Sequence, residues 1–157
     1  MKPSRDYTLM ETARLWAEHS TCSRLSVGAV ISRDGRSFST GYNGAPAGLP
    51  HCDHVECACD YPAHQLGGDP MCPKHGPCRT AVHAELNALM FAAKNGLATL
   101  DSEMHTTHQP CLNCAMAIVN AGVVRVVFLH PYRDNGGLEL LKAAGVTAQK
   151  GVQYRYD

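Results

Sequence analysis

The chain has 157 residues, enough for one domain that buries a hydrophobic core of its own. Lysine plus arginine balance aspartate plus glutamate at fourteen each, so the composition shows no basic surface for duplex nucleic acid or an anionic membrane. No apolar segment has the length of a membrane span or the form of a secretion signal, so we expect a cytoplasmic location, where thiols stay reduced. Eight cysteines and nine histidines in such a chain favour metal binding over disulfides.

The first half of the chain predicts a helix and a hairpin. Apolar residues recur at roughly helical spacing from about Asp6 to His19. The β-rich runs VGAVIS and SFSTGY flank Asp34-Gly35, a dipeptide typical of two-residue hairpin turns. From Asn43 to Thr80 the periodicity disappears, and proline, glycine, cysteine and histidine dominate. A loop this long in a small domain is usually functional, disordered or held by something other than a core.

The second half alternates helices and strands. A helix is predicted from about His83 to Asn95-Gly96, then a strand at EMHTT, then a helix in PCLNCAMAIVNAG with Pro110 in its first turn. VVRVVFL is typical of a strand buried on both faces, LELLKAAG predicts a helix, and the tail from Val146 predicts a last strand. This order predicts one domain over residues 1–157 with a three-layer α/β/α fold, a mixed sheet of about five strands and helices on both faces.

The most informative motif is the pair Cys111 and Cys114. Three residues apart at a helix start, the two sulfurs lie on one side of the helix, where the unpaired N–H groups and the helix dipole favour thiolate. A tetrahedral zinc site needs further ligands, and His83 at the start of another predicted helix is the best candidate for the third. Two cysteines and one histidine leave a fourth position open, which is the arrangement of catalytic zinc sites.

Glu85 indicates what the open position is for. Two residues beyond His83, its carboxylate can reach a water on the metal without binding the metal itself, and can therefore move protons as a general acid and base. His-x-Glu followed by Pro-Cys-x-x-Cys is the signature of zinc-dependent nucleobase deaminases. Three alternatives stay open: a thioredoxin-like redox pair, a purely structural zinc site, which would leave Glu85 unexplained, and His83 as an ordinary core residue.

A longer resemblance runs from about Thr21 to Gly145. The segments STCSRLSVGAVISRDGR, GYNGAPAG, RTAVHAELNAL, THQPCLNCAMAIVNAG and PYRD resemble, in order, those of the deoxycytidylate (dCMP) deaminases of bacteria and bacteriophages, within the cytidine deaminase-like superfamily. Ordered matches of this kind are more specific than the zinc motif, which base, nucleoside, riboflavin-precursor and tRNA deaminases share.

The resemblance implies hydrolysis of dCMP to dUMP and ammonia, which supplies dUMP for dTMP synthesis. A zinc-activated water would attack C4 of cytosine, and Glu85 would carry protons to N3 and to the leaving ammonia. The residues implied for substrate binding are Ala84 and the backbone around Thr107 for the base, Asn43 for the sugar and phosphate, and Arg24 and Tyr132 for the 5′-phosphate. Asn43 is equally a good turn residue, Arg24 a surface charge and Tyr132 an interface aromatic.

Regulation and assembly are also implied by the resemblance. Relatives are commonly homohexamers that dCTP activates and dTTP inhibits, and a Mg²⁺ ion would accompany a triphosphate effector. The implied effector residues are Gly41, Gly44, Phe91 and Lys94. The two glycines could instead serve backbone conformation, and Phe91 and Lys94 could simply end a helix.

The loop from His51 to Cys78 is an insert rich in cysteine and histidine. In some relatives a second, structural metal is present, and its pattern maps onto Cys22, Cys52, Cys57 and Cys78 as a closed four-cysteine zinc site. A further group could hold a third zinc ion: Cys59, His64, Cys72 and His75. Free cysteines in a reducing compartment are the alternative for both groups.

The sequence therefore predicts a zinc-dependent dCMP deaminase whose partners are dCMP and nucleotide effectors, without nucleic acid or membrane. Two alternatives remain. One is a deaminase of another small nucleoside, nucleotide or base, among which tRNA editing is disfavoured because the chain lacks a basic surface. The other is a zinc-stabilised binding module that has lost catalysis, which would bind metal but release no ammonia from any nucleotide.

Overall fold

Five strands and four helices alternate along the chain in the predicted order, within the residues that the computed structural model describes, 2–22, 24–49, 51–52, 78 and 80–151. The strands are β1 (Gly28–Arg33), β2 (Arg36–Tyr42), β3 (Ser102–His108), β4 (Val123–His130) and β5 (Thr147–Lys150). The helices are α1 (Arg5–Ala17), α2 (Ala84–Lys94), α3 (Leu112–Asn120) and α4 (Gly136–Ala143).

The strands form one mixed sheet in the order β2-β1-β3-β4-β5. β1 is antiparallel to both of its neighbours, whereas β3, β4 and β5 run parallel because α3 and α4 cross between them. β1 and β2 are joined by Asp34-Gly35, whose φ angles of 53° and 74° are those that a two-residue hairpin turn requires. The predicted hairpin and the predicted mixed sheet are both confirmed.

Helices cover both faces of the sheet, which confirms the three-layer prediction. Side chains of β1 alternate between two cores, because successive residues of a strand point to opposite faces. On one face α1 packs over a core formed by Leu9, Met10, Ala13, Val30, Val127 and Leu129. On the other face, α2, α3 and α4 pack over a larger core that includes Ile31, Ala88, Met104, Ile118, Val126 and Leu141. No helix among the described residues is both long and apolar enough to cross a membrane.

Two glycines allow helices to approach their neighbours closely enough to place the ends of α2 and α3. A Cβ added at Gly41 in β2 would lie 2.3 Å from the carbonyl oxygen of Ala84, at the start of α2. A Cβ added at Gly137 in α4 would lie 2.2 Å from the carbonyl oxygen of Pro110, just before α3. Any larger residue at either position would therefore push a helix start away from its present place.

A network of charged groups fastens α1 to the sheet. Asp6 in the first turn of α1 accepts hydrogen bonds from both terminal nitrogens of Arg125, at 2.9 and 2.5 Å, and lies 3.0 Å from Nε2 of the buried His105. Arg125 also donates to Glu103 at 2.7 Å. The single guanidinium thus bridges the carboxylates of Asp6 and Glu103. Its hydrogen bonds lower the pKa of Asp6 from 3.8 to about 2, and burial lowers the pKa of His105.

We expect Asp6→Asn to lower the free energy of unfolding by about 1–2 kcal/mol at pH 7. The full pKa shift would correspond to about 2.5 kcal/mol, but the carboxylate is 34% exposed and solvent screens it. Because folding lowers this pKa, the stabilisation is present above about pH 4 and is lost as the pH falls towards 2. Urea denaturation at pH 7 and at acid pH measures both effects.

The control is Glu11→Gln, which breaks the pair between Glu11 and Arg14 at 3.1 Å, both exposed. It should cost less than about 0.5 kcal/mol. Equal losses for the two variants would contradict the importance of the Asp6 network.

Candidate active site

The starts of α2 and α3 meet at one edge of the sheet and bring together three side chains that could hold a metal ion. His83 is the N-cap of α2, Cys111 is the N-cap of α3 and Cys114 lies in the first turn of α3. The helix α3 thus begins at Leu112, later than the predicted start at Pro110, because Cys111 keeps an extended backbone with ψ of 170°. Neither N-cap side chain caps its own helix, so both are available to face each other.

The spacing of the three ligand atoms fits a zinc ion. Nδ1 of His83 lies 3.5 Å from Sγ of Cys111 and 3.3 Å from Sγ of Cys114, and the three atoms lie within 4.8 Å of one another. In tetrahedral zinc geometry, with Zn–N of about 2.0–2.1 Å and Zn–S of about 2.3 Å, a nitrogen and a sulfur ligand would be about 3.6 Å apart. The observed separations are close to that value.

The protonation of the two thiols also favours binding of a cation. Sγ of Cys111 accepts a hydrogen bond from the Cys114 thiol, and this bond, with the neighbouring His83, lowers the pKa of Cys111 to about 4. The same interaction and burial raise the pKa of Cys114. One thiolate and one thiol therefore share a proton. A metal ion that binds both sulfurs as thiolates would replace this proton.

Glu85 lies beside this cluster in the first turn of α2. It is 4% exposed, and its loss of hydration raises the pKa of the carboxyl from 4.5 to about 7. Its carboxyl group is also within hydrogen-bond reach of the Cys114 thiol. A pKa near neutrality suits a group that must both accept and donate a proton in one cycle, and a cation on the neighbouring ligands would draw that pKa down again.

A cleft of about 320 Å³ opens onto the cluster and contains most of the residues predicted for the substrate. His83, Glu85 and Cys111 line it, together with four predicted substrate residues: Arg24, Asn43, Ala84 and Tyr132. These four come from separate parts of the chain, before β1, after β2, at the start of α2 and after β4. The cleft has room for a small molecule of nucleotide size.

The remaining predicted residues lie elsewhere. Thr107 is buried and lines a different cavity, and its hydroxyl oxygen accepts the N–H of Gly28. Gly41 packs on α2, and the backbone of Gly44 pairs with Val82. Phe91 and Lys94 are exposed near the end of α2, away from the residues that line the cleft. The structure gives Gly41 a packing role against α2, and the effector contacts that the resemblance implies for Gly41, Gly44, Phe91 and Lys94 stay predictions.

Asn43 is more constrained than the resemblance implies. It is 6% exposed, its Oδ1 accepts the N–H of Val27 at 2.8 Å and its Nδ2 donates to the carbonyl oxygen of Leu25 at 2.6 Å. The side chain therefore ties the segment before β1 to the end of β2, and one N–H of the amide remains for a ligand in the cleft.

Sequence reasoning missed three polar residues of the cleft, His108, Gln109 and Arg133. Gln109 is 3% exposed and holds the loop after β4, because its Oε1 accepts the N–H of Tyr132 and its Nε2 donates to the carbonyl oxygen of Asp134. The guanidinium of Arg133 lies 5.6 Å from the centre of the Tyr132 ring. The available signal was the position of all three at or shortly after the ends of β3 and β4, two parallel strands whose ends share one edge of the sheet.

A second group of thiols lies next to the cleft. The sulfurs of Cys22, Cys52 and Cys78 are within 4.8 Å of one another, and Cys22 and Cys78 also line the cleft. Burial raises the pKa of Cys52 to about 11, whereas hydrogen bonds lower that of Cys78. The predicted fourth ligand, Cys57, lies outside the described residues, as do the predicted ligands of a third metal: Cys59, His64, Cys72 and His75.

The sequence is similar to those of known deaminases. The model for the cytidine and deoxycytidylate deaminase zinc-binding region matches residues 3–130. The chain belongs to this deaminase family. The deoxycytidylate deaminase of Enterobacteria phage T2 is 34% identical over 165 residues, which cover 88% of each protein. That of Saccharomyces cerevisiae is 35% identical over 156 residues, which cover 96% of this chain and 46% of the yeast protein.

Solved structures of the family share the fold. The dCMP deaminase of cyanophage S-TIM5, crystallised in complex with dCMP and dUMP, superposes with a TM-score of 0.78 at 32% identity, over 96% of this chain and 99% of the phage protein. A tRNA A34 deaminase has a TM-score of 0.57 at 18% identity, over 94% of this chain. The second likeness concerns the fold alone.

We expect more than one zinc ion per subunit in freshly purified protein. Removing one of three or four protein ligands should empty a site, so His83→Ala and Cys52→Ser should each lower the zinc content by about one equivalent. Metal analysis by mass spectrometry measures the content of both variants. A single zinc ion in the parent protein, lost in only one variant, would contradict the second site.

Proposed function

We propose that this chain catalyses the zinc-dependent hydrolytic deamination of dCMP to dUMP and ammonia. The observation that carries the proposal is the cleft itself, which combines the metal-ligand cluster and the buried Glu85 with the exposed Arg24. The relatives named deoxycytidylate deaminase, and the phage enzyme crystallised with dCMP and dUMP, support this nucleotide as the substrate.

His83, Cys111 and Cys114 would hold the zinc ion. When bound, zinc supplies a Lewis acid that makes water nucleophilic near neutral pH. Two thiolates balance the two positive charges of the ion, and the imidazole adds a neutral third ligand. A neutral assembly of this kind suits a half-buried position, because burying an unbalanced charge is costly.

Glu85 would move the protons of the reaction. The oxygen of one water forms a bond to C4 of cytosine, and the C4–N bond breaks. One hydrogen of the water goes to N3, and the other leaves with the amino group as ammonia. A single carboxyl group beside the reacting atoms can make both transfers in turn, because it takes a proton in one step and gives it up in the next.

The rest of the nucleotide would be held by groups along the cleft. Ala84 is the first residue of α2, so its N–H has no partner within the helix and can donate to the base. The planar guanidinium of Arg24 suits the oxygens of the 5′-phosphate, and the Tyr132 hydroxyl can donate to the same group. Binding energy from this remote phosphate would hold the base in the reacting position.

Glu85→Gln tests the proton transfers. The amide keeps the size of the side chain but cannot take a proton from water, so turnover should fall by about 10²–10⁴-fold with zinc content unchanged. Ammonia release and metal analysis on one preparation measure both quantities. Glu139→Gln, at an exposed position of α4, is the control and should stay near the parent rate. Near-parental activity of Glu85→Gln would rule out the assigned role.

Arg24→Ala tests the substrate. Losing a hydrogen bond to a charged group of the substrate should cost about 1.5–3 kcal/mol, a roughly ten- to hundred-fold fall in kcat/KM for dCMP. Deoxycytidine has no phosphate, so its slower turnover should hardly change. The control is Arg36→Ala, at an exposed residue of β2 that does not line the cleft.

The parent enzyme decides between substrate classes in the same assay. Faster turnover of deoxycytidine than of dCMP would show that the enzyme is a nucleoside deaminase and not a nucleotide deaminase. Absence of ammonia from any nucleoside or nucleotide, with zinc still bound, would favour the binding module.

We also propose, from the resemblance, that dCTP with Mg²⁺ activates the enzyme, that dTTP inhibits it and that the subunits form a hexamer. Phe91 and Lys94 are exposed and therefore accessible to an effector or to another subunit. Initial rates with each triphosphate, and light scattering for the mass of the assembly, test these properties.

A further inference from the structure

The segment that carries Arg24 has no regular secondary structure, yet it forms one wall of the cleft. We call residues 20–22 and 24–27 the Arg24 loop. It connects the end of α1 to the start of β1, and four of its residues line the cleft: Cys22, Arg24, Leu25 and Val27. The guanidinium of Arg24 is carried by this loop, so the region that it can reach depends on how firmly the loop backbone is held.

Ser20 and Asn43 hold the loop from the side of β2. The Ser20 hydroxyl lies 2.7 Å from Oδ1 of Asn43 and accepts the N–H of Cys22 at 3.2 Å. The Asn43 side chain in turn bonds Leu25 and Val27 on the far side of Arg24. The two side chains therefore fix the loop backbone both before and after Arg24.

Backbone hydrogen bonds complete the attachment. The N–H of Thr21 donates to the carbonyl oxygen of Asn43, the N–H of Asn43 donates to that of Val27, and the N–H of Cys52 donates to that of Thr21. These bonds run from one end of the loop to the other and reach the thiol group that includes Cys22. Ser20 itself does not line the cleft.

We propose that Ser20 and Asn43 form a clamp that positions Arg24 for the 5′-phosphate, with Ser20 acting as a positioning residue that never touches the substrate. This inference rests on the proposed function. A loop fixed before the substrate arrives spares the entropy of ordering it during binding, so the clamp strengthens phosphate binding without taking part in the chemistry.

Ser20→Ala removes the hydroxyl and leaves Asn43 bound to Leu25 and Val27, so the fold should persist. We expect KM for dCMP to rise about five- to thirty-fold, with kcat changed by less than about three-fold. The rate of deoxycytidine deamination should equal that of the parent, because deoxycytidine has no phosphate for Arg24 to bind. Ser20→Thr keeps a hydroxyl and should restore most of the affinity for dCMP.

Ser39→Ala is the matched control. Ser39 is 1% exposed and its hydroxyl donates to the carbonyl oxygen of Ala88 at 2.6 Å, so this variant loses a comparable buried hydrogen bond outside the cleft. It should lower the melting temperature at least as much as Ser20→Ala without changing the preference for dCMP over deoxycytidine.

A double-mutant cycle separates positioning from general support of the fold. If Ser20 acts through Arg24, Ser20→Ala should have little further effect on dCMP in an Arg24→Ala background. Additive losses, or equal losses on dCMP and deoxycytidine, would overturn the positioning role. A parent enzyme that does not deaminate dCMP would instead overturn the proposed function, so the two failures are distinguishable. If Ser20→Ala is unstable, Arg24→Ala can still be measured, because Arg24 is exposed and its replacement should not prevent folding.

Discussion

The burial of the Glu85 carboxyl is the constraint on which the site depends. An ionised carboxylate that has lost its water is unstable by several kcal/mol unless nearby groups compensate. Here its own backbone N–H, at the start of α2, and the nearby imidazole of His83 oppose the desolvation. Their compensation is partial, which is why the pKa of the group comes to lie near neutrality. The same burial keeps bulk water away from the reacting atoms and strengthens every polar contact made inside the cleft.

The fold supplies this environment by placing two helix starts at one edge of a sheet. Unpaired N–H groups at the starts of α2 and α3 point into the space where thiolates, a carboxylate and a substrate carbonyl must all be stabilised. The strands β3 and β4 run parallel and end at that same edge, so the loops that follow them add Gln109, Tyr132 and Arg133. The proposed chemistry and substrate recognition would therefore use one set of neighbouring chain ends.

The parts of the site that depend on local spacing could be predicted from the sequence, and those that depend on long-range pairing could not. Cys111 and Cys114 are three residues apart at a helix start, and Glu85 is two residues beyond His83, so their approximate geometry follows from helix periodicity. His108 and Arg133 line the cleft because β3 and β4 are neighbours in the sheet. No local sequence pattern specifies this strand order.

The role of Asn43 also could not be predicted from the local sequence. A turn residue between two glycines is compatible with many roles, and only the path of the Arg24 loop across the end of β2 reveals what its amide holds. The strand and helix order was predictable because apolar periodicity and the Asp34-Gly35 turn are strong local signals. The exact start of α3 was not, because its first turn is set by the extended backbone of Cys111.

The close packing at Gly41 and Gly137 has a consequence for how the protein tolerates change. Metal centres require their ligands to be placed to within about half an ångström, whereas a methyl group at either glycine would overlap a backbone atom by more than that. Neither residue has a side chain that could take part in chemistry, yet each sets the position of a helix start that presents a proposed metal ligand. Random mutagenesis selected for loss of activity should therefore recover substitutions at these two positions as readily as at the ligands, and any redesign of the cleft has to leave both helix contacts in place.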